Sequence, residues 1–168
     1  GSDSRHSIKN SHSLYALSRK RDDLFRDIFY RAAWYICRFA VKHHADVIVI
    51  GHNKDQKQEI RLGKQNNQSF VSIPFVRFEQ ILTNTAAKCE IPVIVQEESY
   101  TSKASVLDGD DIPTYGIEDD HVHFSGKRIK RGLYRCADGT FLNADVNGAA
   151  NVICKKYPDA FERQNLQY

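Results

Sequence analysis

The hydrophobic pattern opens on a long helix. Over residues 13–44, Leu14, Leu17, Leu24, Ile28, Ala32, Tyr35, Ile36 and Phe39 recur at helical spacing, which predicts an amphipathic helix with those side chains turned to the core. "DVIVIG" (46–51) follows as a short, wholly apolar, β-branched run ending in Gly51, the pattern of a strand buried on both faces. Residues 52–70 are polar, rich in Asn and Gln, and read as a loop. Helical spacing resumes over 73–90, with Pro74 in the first turn and Phe75, Phe78, Leu82, Ala86 and Cys89 along one face. "IPVIVQEE" (91–98) is a second buried strand that ends in two carboxylates. Residues 99–132 are loop-rich and charged, with a short strand expected at "HVHF" (121–124). "GLYRCADGTFLNA" (132–144) sets Asp138-Gly139 between two extended runs, a hairpin signal. The last helix is expected from about Ala144 to Lys156, ahead of Pro158.

The order helix, strand, helix, strand, hairpin, helix defines an α/β layered domain, and in such sheets functional groups collect at the carboxyl ends of strands. Asn53 lies just past the first strand, and Glu97 and Glu98 end the second. "FLNADVNGAANVI" (141–153) starts the last helix with a lone acid, Asp145, among small residues, with Asn147 and Asn151 one turn apart. The pattern predicts a Mg²⁺ site of oxygen ligands, formed by Asp145 with Glu97 or Glu98. Successive strand side chains face opposite ways, so only one of the two glutamates points to it. The plainer alternative makes Asp145 a helix-start acid facing the dipole. The glutamates are then solvated, one of them pairing with Lys103 or a nearby Arg.

Composition narrows the class. At 168 residues, 41% hydrophobic and 27% charged, the chain fits one globular domain. No apolar run spans a bilayer and no signal-peptide pattern precedes the first helix. The cysteines at 37, 89, 136 and 154 form no CxxC pair. Cys37, Cys89 and Cys154 fall on helical stretches and read as buried thiols. This argues against a disulfide framework and a four-cysteine zinc site, and for a reducing cytoplasm. The net charge of +3 is unevenly spread. "SRKR" (18–21), "GKRIKRGLYR" (126–135), Arg61, Lys64 and Arg77 are basic, while acids crowd 97–120. Beside a carboxylate site, such basic clusters read as phosphate contacts. The opening Gly1-Ser2 and the absence of Met suggest a tag scar before an excised piece of a longer protein.

Four stretches occur together in this order: "QNNQSFVSIPF" (65–75), "EESYTSKAS" (97–105), "FSGKRIKRGLYRCADG" (124–139) and "NADVNGAANVI" (143–153). With them, most of residues 14–161 resembles the C-terminal part of the OrfB/TnpB family of insertion-sequence proteins, relatives of the type V CRISPR effector nucleases. The resemblance implies an RNase H-like (RuvC) nuclease domain, directed to DNA by a guide RNA and cleaving with Mg²⁺ or Mn²⁺. Asp145 matches the family's last catalytic Asp, which makes it a metal ligand; the small neighbours then let its helix sit close to sheet and nucleic acid.

Three departures qualify the resemblance. The family's catalytic Glu ends the strand matching "VIVIGHN", where this chain has Ile50, Gly51 and His52; the expected reading is a relocated glutamate, Glu97 or Glu98. The family's first catalytic Asp lies on a strand before the long helix, and here only Asp3, in a polar lead-in, precedes it. Two-metal hydrolysis needs several carboxylates, so the chain alone is expected to be inactive without the missing N-terminal part. The family's zinc ribbon is also absent. Ala104 stands at a first cysteine position and only Cys136 is kept, so no zinc is expected. The 99–143 insert, containing "LDGDDIPTYG" and a hairpin, takes the ribbon's place as a packed loop. His121 and His123 read as exposed strand histidines.

The expected organisation is thus a scar and lead-in over 1–12, an RNase H-like α/β domain over 13–161, incomplete at its N-terminal side, and a tail over 162–168. Lys127, Arg128, Lys130, Arg131 and Arg135 are the expected phosphate contacts. Tyr100 and Tyr134 suit stacking on an unpaired base or equally a place in the core. Three functions compete: the nuclease portion of an RNA-guided DNA endonuclease, a nuclease-inactive relative that binds guide RNA and DNA as a repressor, and a stand-alone nucleic-acid-binding module. In the first two the partners are DNA and guide RNA rather than a membrane; in the third, read as a structural or interaction module, the charged patches are plain surface; the expected setting is the bacterial cytoplasm.

Overall fold

The structure is a computed structural model that describes residues 4–52, 73–116 and 123–161, with side chains from residue 12 on. The chain divides into two compact units, residues 1–48 with 61–93 and residues 49–60 with 94–168.

The first unit is a helix pair. Helix α1 (Ser4–Lys42) runs for 39 residues and buries Phe29, Ala33, Cys37 and Ala40. Helix α2 (Phe75–Ala86) meets it with Ile81, Leu82, Thr85 and Ala86, and the Phe29 ring lies 5.3 Å from that of Phe78. Small side chains at 33, 37 and 40 let the backbones approach. Helix α2 ends in a 3-10 turn (Ala87–Cys89), closed by Glu90 at a left-handed φ of 59°.

The buried face differs from the expected one. Leu14, Leu17, Leu24, Ile28, Tyr35 and Phe39 are exposed. Between Ile28 and Val41 only Arg31 and Arg38 are charged, so the segment is apolar nearly all round and its periodicity selects no single side. The partner helix decides, and α2 takes the small-residue side. The second helix departs likewise: Phe75 is exposed, Pro74 caps the helix rather than sitting in its first turn, and Cys89 is exposed in the turn beyond it.

Strands β1 (Ile48–His52) and β2 (Val93–Glu97) form a two-stranded sheet, lying almost wholly in the second unit. Both are half-buried rather than covered on two faces, and Val95 is exposed. The described residues therefore make a mixed α/β arrangement with two small sheets, without the larger layered sheet expected. The second sheet is an antiparallel meander of β3 (Lys127–Lys130), β4 (Leu133–Arg135) and β5 (Phe141–Asn143). The hairpin turn falls at Asp138-Gly139, where Gly139 takes a φ of 90° and the Asp138 carboxylate accepts from the Thr140 N–H and hydroxyl, both at 2.8 Å. Helix α3 (Ala144–Lys156) has the expected bounds. Of "HVHF", His121 and Val122 lie outside the described residues, as do Arg61 and Lys64, and residues 123–124 form no strand.

Tyr134, Cys136 and Ala144 form the buried centre of the second unit, with Leu107 from the insert and Leu142 packed against it. Among the described residues no helix is long and apolar enough to cross a membrane.

The helix pair makes a direct prediction. Phe29→Ala should lower the unfolding free energy by about 3 kcal/mol, because it opens a cavity under Phe78, whereas Tyr35→Ala should stay within about 0.5 kcal/mol. Urea denaturation of the two variants checks this, and equal losses would refute the assignment of faces.

Candidate carboxylate site at the end of β2

Helix α3 begins on a side-chain cap. Asn143 Oδ1 accepts from the N–H groups of Asp145 and Val146, at 2.9 and 3.1 Å, which satisfies two of the donors a helix start leaves open. Asp145 follows in the first turn, where a negative charge suits the helix dipole. Its side chain is 84% exposed, and the Arg128 guanidinium of β3 stands 3.8 Å away. Gly148 opens on empty space.

The two asparagines have a definite use. Both are buried. Asn147 Nδ2 donates to the Ala104 carbonyl at 2.7 Å, and its Oδ1 accepts from Val106 N–H at 3.1 Å. Asn151 Nδ2 donates to the Thr101 and Ala104 carbonyls, at 2.9 and 2.7 Å. Ala104 O thus receives one donor from each asparagine, which fills both lone pairs. These bonds hold the chain after β2 onto α3. That chain folds tightly on itself: Lys103 and Ala104 N–H both donate to Tyr100 O, at 2.8 and 3.0 Å, and Tyr100 takes a φ of 64°. Asparagine competes with helix backbone for hydrogen bonds. Two of them one turn apart inside a helix were therefore a legible sign of side-chain bonding to another segment.

The two glutamates have different environments. Glu97 pairs with Lys155 Nζ, whose side chain is only 4% exposed and which also donates to Ser99 O at 3.1 Å. Ser99 N–H donates to Glu97 Oε1 at 2.5 Å. Burial is the largest single influence on Glu97 and raises its pKa, but Lys155 and Ser99 together outweigh it and hold the carboxyl below the usual range. Glu98 lies beneath Gly51. A Cβ at residue 51 would stand 2.3 Å from Glu98 Oε2, and 3.2 Å from both Glu98 Cβ and Val152 Cγ2. The Glu98 carboxylate therefore fills the space that a side chain at 51 would occupy. Burial raises its pKa, with His52 opposing and Glu97 adding to the rise.

Asp145 and the glutamates meet α3 at different heights. Val152, which shares the Gly51 contact with Glu98, stands about 10 Å along the helix axis from Asp145 at 1.5 Å per residue. Among the described residues no three His, Cys, Asp or Glu side chains gather to hold a metal. The described residues thus do not bring Asp145 together with the glutamates.

Two other acids of the insert fasten loops. Asp110 accepts from Ser105 N–H at 2.8 Å and from the Ser125 hydroxyl at 2.5 Å, and Asp108 accepts from Ala137 N–H at 3.0 Å. The Tyr134 ring is fully buried and its hydroxyl donates to Lys103 O at 2.7 Å. Burial, then Asp110, Cys136 and Asp108, push that hydroxyl up to about 12. Of the two sites left open for Tyr134, the core is the one it occupies. Gly126 admits it, since a Cβ there would lie 2.6 Å from the ring. Cys136 is buried too, and burial raises its thiol against a hydrogen bond from Ser105. Tyr100 packs beside Tyr115 and Phe124, at 6.4 and 6.1 Å between ring centroids, with Lys103 Nζ 5.2 Å over its face. Lys127, Arg128, Lys130, Arg131 and Arg135 are all exposed, the first three on the edge strand β3, where cations discourage edge pairing and are free to meet phosphates.

Residues 75–152 match the family model described as Cas12f1-like, TNB domain. The fold is similar to that of a Cas12f1 solved in complex with sgRNA and target DNA, with a TM-score of 0.60 and 17% sequence identity over 88% of this chain and 38% of that one. The chain thus spans 38% of that protein's length. Both findings point toward the TnpB- and Cas12-related proteins. No curated protein matches the chain.

Two predictions follow from the geometry. Asn151→Ala should cost about 2 kcal/mol in chemical denaturation, because it strands the Thr101 carbonyl and leaves a void; a change below about 0.5 kcal/mol would remove the clamp from the account. The second concerns pH. Folding raises the Glu98 carboxyl, so it favours the protonated form, and that benefit is full below the ordinary carboxylate range and lost as pH rises through the raised folded value. Glu98→Gln should therefore raise Tm at pH 8 and change it little at pH 4. A Tm that falls at pH 8 would contradict the burial argument.

Proposed function

We propose that this chain carries the nuclease portion of an RNA-guided, divalent-metal-dependent DNA endonuclease of the OrfB/TnpB kind. In this reading Glu98 serves as the relocated acidic residue, Asp145 as the helix-borne acid, and the basic β3 edge with Arg131 and Arg135 as the phosphate contact. The observation that carries it is the Glu98 carboxylate in the space that a side chain at Gly51 would occupy. The resemblance assigns a catalytic glutamate to that end of β1, and this chain supplies a carboxylate there from the neighbouring strand's end. Glu97, engaged by Lys155 and Ser99, holds the strand end in place. The similarity to Cas12f1 supports guide RNA and target DNA as partners.

A second reading, an RNA-guided DNA-binding protein without nuclease activity, draws on a different observation. Arg128 stands beside Asp145, and no ligand trio gathers among the described residues.

Plasmid cleavage separates the two. The 168-residue chain should not cut. The whole gene product with its guide RNA should cut in Mg²⁺ and stop when EDTA is added. In that protein Asp145→Ala and Glu98→Gln should each lower the rate at least a hundredfold with guide-RNA binding retained, although Glu98→Gln stabilises the fold. Undiminished cutting by Glu98→Gln would overturn its role. Guide-RNA and target binding without any cutting by the unaltered protein would establish the second reading.

A further inference from the structure

Helix α1 presents a surface that the carboxylate site does not use. Arg31, Trp34, Tyr35, Arg38, Phe39 and Lys42 follow one another at intervals of three, four, seven, eight and eleven residues from Arg31, so they share one side of the helix. That side lies opposite Phe29, Ala33, Cys37 and Ala40, which pack on α2. Trp34 is 60% exposed and Tyr35 73%, and the six side chains line an open concavity of about 820 Å³. From Ile28 to Ala45 the chain contains no carboxylate, and its charges are Arg31, Arg38 and Lys42. Asp27 pairs with Arg31 at 2.5 Å; Arg38 has no acid within a helical turn, and the nearest acid to Lys42 in sequence is Asp46, past the helix end.

We propose that this stripe is a docking surface for unpaired RNA nucleotides, with Trp34, Tyr35 and Phe39 stacking on bases and Arg38 and Lys42 holding the phosphates. The argument is the interleaving of charge and ring. A protein interface favours aromatics and Arg alike but is depleted of Lys, and here Lys42 stands one turn from Phe39 in a stretch that holds three cations and no carboxylate from Ile28 to Ala45. A helix lying on a membrane segregates its cations from its apolar face, and here they share it. Aromatic rings alternating with cations match a strand that alternates bases and phosphates. Trp34 and Phe39 lie about 7.5 Å apart along the axis. That exceeds the 3.4 Å step of stacked bases and suits nucleotides already splayed, as RNA loops and bulges present them. The proposal rests on the preceding reading only for RNA as the partner. It needs neither metal nor cleavage, because the stripe lies in the helical unit.

Trp34 is the single tryptophan, so its fluorescence reports this surface alone. The test uses the full chain with an RNA hairpin bearing an eight-adenosine loop, a blunt RNA duplex of equal charge, a deoxyadenosine strand and phosphatidylserine vesicles. The hairpin should quench Trp34, and the duplex should not. By anisotropy, Trp34→Ala with Tyr35→Ala should weaken hairpin binding at least tenfold and duplex binding less than twofold, while Arg38→Glu should weaken both and flatten the salt dependence. All three side chains are solvent-facing, and an unchanged circular dichroism spectrum confirms that the variants fold. Unquenched Trp34, or hairpin affinity unaltered in the double variant, overturns the proposal. So does a stronger response to the deoxyadenosine strand, to vesicles, or to self-association on dilution. Loss of cleavage in the whole protein with quenching intact would leave this surface standing and remove only the nuclease reading.

Discussion

The fold of the second unit depends on one carbonyl. Ala104 O takes a hydrogen bond from Asn147 and another from Asn151, and through it the segment that leaves β2 is tied to the inner face of α3. A buried carbonyl stripped of these donors would be costly, so the loop has little freedom to be elsewhere. Its position fixes the neighbours. Tyr134 meets the same loop at Lys103 O, Lys155 meets it at Ser99 O, and the turn that begins at Glu98 O, which accepts from the Thr101 hydroxyl at 2.8 Å, holds Glu98 against β1. Among the described residues no buried side-chain polar atom is left without a partner, which is what such a network must achieve to be stable.

Much of this architecture was legible in the sequence, and the parts that were not share a cause. Element type and order followed from local signals: spacing for the helices, β-branched runs for β1 and β2, and Asp138-Gly139 for the hairpin. Facing did not. On α1 the large residues drew attention because they are apolar, yet the side that packs is built from Ala33, Cys37 and Ala40, and which side packs is decided by α2, far away in sequence. The site divides along the same line. Asp145 and the glutamates were visible as acids at element ends. That Glu97 would be taken by Lys155 and Glu98 would lie under Gly51 depends on contacts 47 to 58 residues apart, which no periodicity encodes.

The insert is held by packing and by hydrogen bonds to backbone. Tyr134, Cys136, Ala144, Leu107 and Leu142 pack together, and Asp108 and Asp110 bind the loop ends through backbone N–H groups. Asp108 and Asp110 are thereby accounted for as fasteners, while the cations of β3 stay exposed, with Arg128 beside Asp145.

Gly51 and Glu98 claim the same few cubic ångströms. An acid at position 51 and the present pose of Glu98 therefore compete, like two ends of a seesaw. The Glu98 carboxylate is the far end of a flexible side chain and can swing aside, whereas Glu98 Cβ and Val152 Cγ2, each 3.2 Å from the added Cβ, leave little room beyond that. Returning a carboxylate to β1 with Glu98 in place sets two acids in a site that already raises the pKa of one. Cutting residue 98 back first spares that crowding, so packing, rather than the chemistry the acid serves, favours one order of the two substitutions.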